Sequence, residues 1–403
     1  MSRFLFVVPP LAGHVNPTVA VGRELERRGH TVAWAGHPEA VGALLPGPPA
    51  APCRLLPAGT GLSTADLEAM RARWLGLRGF AALKALWEEV LLPIGAAMRD
   101  GVEAAVDGFG PDVVVADQQA IAGAAVAWRR GLPWATSAST FSELARPYAA
   151  MPAVEGWVTQ QLRDFAVGSG IGAAEAGRGD LRFSDRLVLV FTTPELAGPI
   201  EVPCSPVFVG PAIGERPAQP DFPWDWLDAP GAGERRSRVL VSLGTHNGEA
   251  GDRFYRVLLD AVATKATSLQ LILVAPAGVR AALGELPRNV LAAERVPQLA
   301  LLDHVDAVVT HGGLGTVSEA LSAGRPLVVA PIRDDQPLIA ERVESLGAGV
   351  RVRFGRVRPG DLSSALESVL TDPAFAAAAA GVGASLAAAG GAPAAADQLE
   401  KLA

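Results

Sequence analysis

Phe4 to Val8 is an unbroken apolar run. A strand with one face in water would alternate, so this run predicts a strand buried on both faces, as in a parallel sheet covered by helices. A Gly/His/Asn/Pro loop follows. Val21 and Leu25 then mark one side of a helix, and Thr31 to Ala35 reads as a second strand. Asn16 suits the N-cap of that helix, Pro17 its first turn, and Gly29 the position just past its end. The chain therefore opens as a βαβ unit.

From residue 37 to 110 the period weakens. Pro and Gly runs between Leu45 and Pro52 give way to helical stretches carrying Trp74, Phe80 and Trp87. Strand signals return in "DVVVAD", ending at Asp117, and over Arg186 to Thr192. Between Gly210 and Arg235 the composition turns to Pro, Gly, Ala and acidic residues, which reads as a linker. Beyond it the alternation restarts with "RVLVSLGT", a helix from Asp252, "LQLILVA", "NVLAA", a helix from Gln298, "DAVVTH", a helix from Leu314 and "PLVVAP". The Ala-rich end, Phe375 to Ala403, keeps enough apolar period for one or two helices. The predicted class is α/β, with two Rossmann-like, doubly wound parallel-sheet domains facing across a cleft. The expected boundaries are 1–212 for the first domain, 213–235 for the linker, 236–385 for the second domain and 386–403 for a C-terminal helix packing back on the first. A chain of 403 residues is long enough for two cores.

Composition narrows the function classes. With 49% hydrophobic and 19% charged residues the chain forms cores and is not a disordered tail. A net charge of −7 argues against a nucleic-acid partner, which would recruit clustered Lys and Arg. Cys53 and Cys204 are too few for a disulfide framework or a metal knuckle. Pro9, Pro10 and His14 interrupt the apolar start before it resembles a signal peptide, and no apolar run reaches the roughly 18 residues of a membrane span. The expectation is a cytoplasmic chain without a transmembrane segment.

Ligands of open parallel sheets bind beyond the carboxyl ends of the strands, so residues just after strands carry the chemistry. After "DAVV" comes "THGGLGTVSEAL", whose glycines meet a helix start and expose backbone N–H groups, an anion site. His311 and Thr316 can add donors there, which would stabilise a leaving diphosphate without metal. Two blander patterns overlap it. Thr316 and Glu319 have the spacing of a capping box, and "GLGTVS" approaches a dinucleotide fingerprint but has Ser318 in place of its third glycine. After the first strand stands His14. An imidazole is a suitable general base for a hydroxyl nucleophile, and Asp117, at the end of another strand, can orient it.

Taken in order, "GHVNP", "VFVGP", "VLVSLGT", "VPQLALL", "THGGLGTVSEAL" and "PIRDDQP" resemble the large family of inverting nucleotide-sugar glycosyltransferases that includes plant flavonoid and bacterial antibiotic enzymes. The resemblance runs along nearly the whole chain. It implies the two-lobed GT-B fold, with the nucleotide-sugar donor in the C-terminal lobe and a small lipophilic acceptor in the N-terminal lobe. It assigns His14 as base and Asp117 as its partner. For the diphosphate it implies His311, Gly312, Gly313, Gly315 and Thr316, with Ser242 or Thr245 lining the pocket. Glu319 would hold the ribose, Val296 and Gln298 would meet base and ribose, and Asp335 with Gln336 would bind sugar hydroxyls. Arg295 departs from the family pattern, which has an aromatic Trp there; a planar guanidinium can stack on the base instead.

The NDP-sugar, UDP- or dTDP-linked, is then a co-substrate, and no cofactor is expected. Metal is not expected either, since no Asp-x-Asp occurs. Trp74, Phe80, Trp87, Trp134, Phe141 and Tyr148 are candidate walls of the acceptor pocket, or core. The expected enzyme works as a monomer or homodimer. A nucleotide-sugar epimerase and a catalytically silent binding partner are the alternatives; the second would be expected to lack His14 or Asp117.

Overall fold

The computed structural model describes residues 1–48, 51–141, 143–200, 206–217, 221–228, 236–244, 251–265 and 267–403. Thr245, Cys204 and much of the expected linker lie outside these. The chain divides into two compact units. One comprises Met1–Thr193, Pro199–Ala218 and Ala389–Ala403; the other comprises Pro194–Gly198 and Gln219–Ala388.

Among the described residues the first unit is built on seven strands: β1 (Arg3–Val7), β2 (Thr31–Gly36), β3 (Leu55–Pro57), β4 (Val113–Asp117), β5 (Trp134–Ala138), β6 (Val188–Val190) and β7 (Val207–Phe208). Their order is β3-β2-β1-β4-β5-β6-β7, every neighbouring pair parallel. The apolar run of β1 is explained by cover on both sides. Phe4 and Phe6 join a cluster with Val15, Val19 and Trp34, whereas Leu5 and Val7 face the helices Leu92–Phe109 and Ile121–Arg129.

The second unit repeats the plan with β8 (Ser237–Ser242), β9 (Leu269–Val274), β10 (Val290–Ala293), β11 (Ala307–Thr310), β12 (Leu327–Val329) and β13 (Gly349–Arg351), in the order β10-β9-β8-β11-β12-β13 and again all parallel. In each sheet the winding reverses beside the first strand, between β1 and β4 and between β8 and β11. Such reversals open the crevice in which α/β sheets bind ligands.

The first helix corrects the expected capping. It runs Ala12–Arg27 with Leu11 at the N-cap, so Asn16 and Pro17 lie inside it. Pro9 and Pro10 end the extended chain, and the helix starts directly behind them, which makes the His14 turn helical. The Ala-rich end forms two helices, Pro373–Ala388 and Gly391–Glu400, parted where Gly390 and Gly391 take φ of +92° and +59°. By length and apolar composition the stretch Pro373–Glu400 is apolar enough to cross a membrane. Packing accounts for part of that character. Gly383 lies so close to the Leu314–Ser322 helix that a Cβ there would meet the Leu321 oxygen at 2.3 Å. The last helix packs on Ala12–Arg27, where Arg28 donates to Asp397 and Glu400 at 2.6 and 2.8 Å.

Candidate active site

Alternation along β4 carries Asp117 to the site. Val113 and Val115 face the cluster that holds Val15, Val19 and Ala135, and Asp117 continues that face with no exposed side-chain surface. The helix bearing His14 is pinned over the same face. Gly22 admits the Trp34 ring where a Cβ would lie 2.5 Å from it; Trp34 Nε1 donates to Thr18 Oγ1 at 3.0 Å, and Thr18 donates to the Val15 carbonyl at 2.7 Å. His14 Nδ1 consequently sits 2.9 Å from Asp117 Oδ1, although 103 residues separate the two in sequence. The Gln119 backbone N–H donates to the same oxygen at 2.9 Å.

Ser139, just past β5, completes the cluster. Its Oγ donates to Asp117 Oδ2 at 2.9 Å and lies 2.7 Å from His14 Nδ1. Sequence reasoning missed this residue. Two acceptors facing Nδ1 place the ring proton there, which makes Nε2 the acceptor nitrogen of a neutral His14. The ring is 15% exposed. This is the arrangement a general base needs: a held N–H on one side and a lone pair on the other.

The six aromatics do not act as one wall. Trp87, Trp134 and Phe141 are core, Trp74 is half-buried, and Phe80 is 55% exposed with its ring on Trp157. Tyr148 lines a cavity of about 440 Å³ with Val158, Phe183 and the ion pairs Arg146–Glu155 and Arg182–Glu143.

In the second unit Ser242 and Thr310 are register partners at the ends of β8 and β11. His311 follows, its Cε1–Nε2 edge close against two glycines. A Cβ on Gly244 would lie 2.5 Å from its Cε1, and one on Gly313 would lie 2.7 Å from its Nε2. Gly312, at φ +92°, passes tightly under Val329, where a Cβ would lie 2.9 Å from Cγ1. Gly313 is the N-cap of Leu314–Ser322 and supplies no side-chain cap, so the amides of the first turn have no intrahelical partner. Gly315 is exposed with open space around its Cα, and Thr316 beside it is half-buried.

Because that helix starts at Leu314, Thr316 stands in its first turn and not at the N-cap, so no capping box forms with Glu319. The Glu319 carboxylate, nearly buried, instead accepts from Gln298 Nε2 at 2.6 Å. Val296 is buried and Arg295 exposed. Asp335 is the N-cap of Gln336–Ser345 and half-buried. Gln336 is buried, with Oε1 accepting from the N–H groups of Ile332 and Arg333 at 2.9 and 3.1 Å. Among the described residues no group of three or more His, Cys, Asp or Glu is placed to hold a metal ion.

Burial pushes the His311 imidazole down to about 4, against a smaller opposing contribution from the Ser242 backbone. It is therefore neutral at pH 7 and brings a hydrogen bond, not a charge, to any anion. In the unfolded chain it would take up a proton near pH 6.5. The unfolded state thus binds more protons between about 6.5 and 4, and stability falls with acidification there by up to about 1.4 kcal/mol per pH unit. We expect His311→Asn to lose less unfolding free energy than wild type between pH 7 and pH 4.5, measured by urea titration. Parallel losses in the two proteins would place the acid sensitivity elsewhere.

Residues 256–402 match the family model described as the C-terminal domain of erythromycin biosynthesis protein CIII-like proteins. The 4'-demethylrebeccamycin synthase of Lentzea aerocolonigenes is 30% identical over 406 residues, covering 93% of each chain. An NDP-glycosyltransferase of Bacillus subtilis (strain 168) is 28% identical over 383 residues, covering 90% of this chain and 88% of its own. Among solved structures, the glycosyltransferase of kitacinnamycin superposes with a TM-score of 0.77 at 29% identity, covering 100% of this chain and 99% of that one. With its two parallel-sheet units, the chain belongs to the family of GT-B glycosyltransferases of antibiotic and natural-product biosynthesis.

Proposed function

We propose that this glycosyltransferase moves a hexose or deoxyhexose from a UDP- or dTDP-sugar to a hydroxyl of a small lipophilic natural product, with inversion at the anomeric carbon. The observation that carries the reading is the His14–Asp117 pair at the β1/β4 reversal, 2.9 Å from Nδ1 to Oδ1; with its proton on Nδ1, the ring acts as base through Nε2. The names of the relatives support it, one a synthase of a demethylrebeccamycin and one an NDP-glycosyltransferase.

His14 Nε2 takes the acceptor's hydroxyl proton as the oxygen's electron pair forms the bond to the anomeric carbon. The bond from that carbon to the diphosphate oxygen breaks, and its electrons leave with the diphosphate. Asp117 stabilises the imidazolium that forms. No covalent intermediate is involved.

The leaving diphosphate is held at the Gly313 helix start by the first-turn amides, with His311, Gly312, Gly315, Thr316 and Ser242 around it. Because His311 is neutral, charge compensation falls on those amides. Gln298 fixes the Glu319 carboxylate for the ribose hydroxyls; Val296 and Arg295 meet the base. Asp335 and the amide nitrogen of Gln336 bind the sugar, the Gln336 oxygen being occupied by the backbone. The residues present provide for the leaving group without metal.

Incubation with UDP- and dTDP-sugars and a panel of lipophilic alcohols and phenols, followed by mass spectrometry, is expected to give glycosides, with the rate kept in EDTA. Donor turnover with no glycoside would point to the epimerase; rate loss in EDTA reversed by magnesium would end the metal-free account. Asp335→Ala is expected to weaken use of the sugar nucleotide about 10-fold or more while the free nucleoside diphosphate binds as before, because the carboxylate meets only the sugar. Calorimetry and kinetics showing equal weakening of both would remove Asp335 from the sugar site.

A further inference from the structure

We propose that Ser139 is a positioning residue for the base, locking the His14 ring and the Asp117 carboxylate into one closed hydrogen-bonded unit. The inference rests on the transferase reading above and extends it to a residue without an assigned part. Ser139 enters the site through strand parity. Ala135 faces the cluster that carries Val113 and Val115, and Ser139, four residues on, keeps that face at the end of β5.

The geometry fixes the direction of each bond. The hydroxyl has a single proton, and two groups lie within its reach, Asp117 Oδ2 at 2.9 Å and His14 Nδ1 at 2.7 Å. Were the proton given to Nδ1, that nitrogen's lone pair would already be used and no N–H would remain to meet Asp117 Oδ1, 2.9 Å away. An unprotonated Nδ1 would then face a carboxylate oxygen directly. Donation to Oδ2 resolves this: Ser139 Oγ then accepts from the ring N–H, and Nδ1–H is shared between Oδ1 and Oγ. The circuit runs from Nδ1–H through both carboxylate oxygens to the serine hydroxyl and back to the ring.

Two consequences follow. Asp117 has no exposed side-chain surface, so its Oδ2 needs a donor, and a buried acceptor left unmet is costly. One acceptor at Nδ1 lets the imidazole swing about that bond; a second, out of line with the first, fixes the plane in which Nε2 is presented. Ser139 thus acts through His14 and has no contact with the reacting atoms in this account.

The test uses the full-length protein with UDP-glucose and dTDP-glucose as donors and alcohols and phenols of graded acidity as acceptors. Ser139→Ala is expected to lower kcat about 10-fold with weakly acidic acceptors while the donor KM stays within about twofold. The deficit is expected to shrink with phenols already ionised at the assay pH, since no proton then has to be removed. Ser139→Thr, which keeps the hydroxyl, is expected to restore the rate. Proton NMR supplies a readout without acceptor: the Nδ1–H signal, assigned by its disappearance in His14→Ala, should persist in wild type and Ser139→Thr and broaden in Ser139→Ala.

Wild-type rates and an intact Nδ1–H signal in Ser139→Ala would overturn the proposal. A loss of equal size with every acceptor, not restored by Thr, would also overturn it in favour of a packing role. His14→Ala run in parallel separates the two levels. If it stays fully active, the base assignment fails; if it is inactive while Ser139→Ala matches wild type, only the serine's part fails.

Discussion

His14→Ala should lower turnover by about 100-fold or more at pH 7 with an alcohol acceptor, leaving the donor's affinity nearly unchanged. The magnitude is that of general-base catalysis, typically 100- to 10,000-fold. The separation from binding follows from the address of the residue: His14 stands in the first unit beyond β1, whereas the groups proposed to hold the donor stand in the second. Asp117→Asn should be similar or milder. The amide can keep one bond to the ring, but it no longer stabilises the imidazolium. Steady-state kinetics with calorimetry of the free nucleoside diphosphate checks both halves. Near wild-type turnover in His14→Ala would remove the base.

The second large effect is expected at the glycines of the loop proposed to hold the diphosphate, where two nearby positions should behave in opposite ways. A Cβ on Gly313 would press on His311 Nε2 at 2.7 Å, at the same Cε1–Nε2 edge against which Gly244 already lies close. Gly313→Ala should therefore displace His311, destabilise by roughly 1–3 kcal/mol as other overpacked sites do, and weaken binding of UDP or dTDP about 10-fold or more. Gly315→Ala meets nothing within 4 Å in the free protein. Alanine is the better helix former by up to about 1 kcal/mol, so this variant should be as stable as wild type or more so. Its Cβ, however, would occupy the space in which the phosphates approach the first-turn amides, and nucleotide affinity should fall. Thermal unfolding and calorimetry on both variants distinguish the cases. Undiminished affinity in Gly315→Ala would move the diphosphate away from this helix start.

These positions also show what the chain announces and what it conceals. The apolar runs of β1, β4, β8, β9 and β11 were plain because they are covered on both faces, and covered strands carry no polar positions to disguise them. Trp134–Ala138 gives no such signal, for the opposite reason. Its Thr136 and Ser137 are buried polar residues in a short strand, and a run of small and hydroxyl side chains reads as a loop. Ser139 was lost with it, since a serine one residue beyond an unrecognised strand has no signal of its own. His14 and Asp117 are legible because the one follows and the other ends a strong strand.

Capping signals failed where local chemistry offered two answers. Asn16 and Pro17 look like a helix start, but the helix begins five residues earlier, directly behind Pro9 and Pro10. Thr316 and Glu319 have the spacing of a capping box, yet Glu319 pairs with Gln298, a partner 21 residues away that only the fold supplies. The acceptor side was least legible. Aromatic residues serve core and pocket alike, and here Trp87, Trp134 and Phe141 serve the core.

The most direct test of direct displacement by a His14-activated hydroxyl is the configuration of the product. With an α-linked UDP- or dTDP-sugar, the anomeric proton coupling of the glycoside measured by NMR should report a β-linkage, formed in wild type and lost in His14→Ala. An α-linked product from the same donor would contradict a single displacement and with it the part assigned to His14.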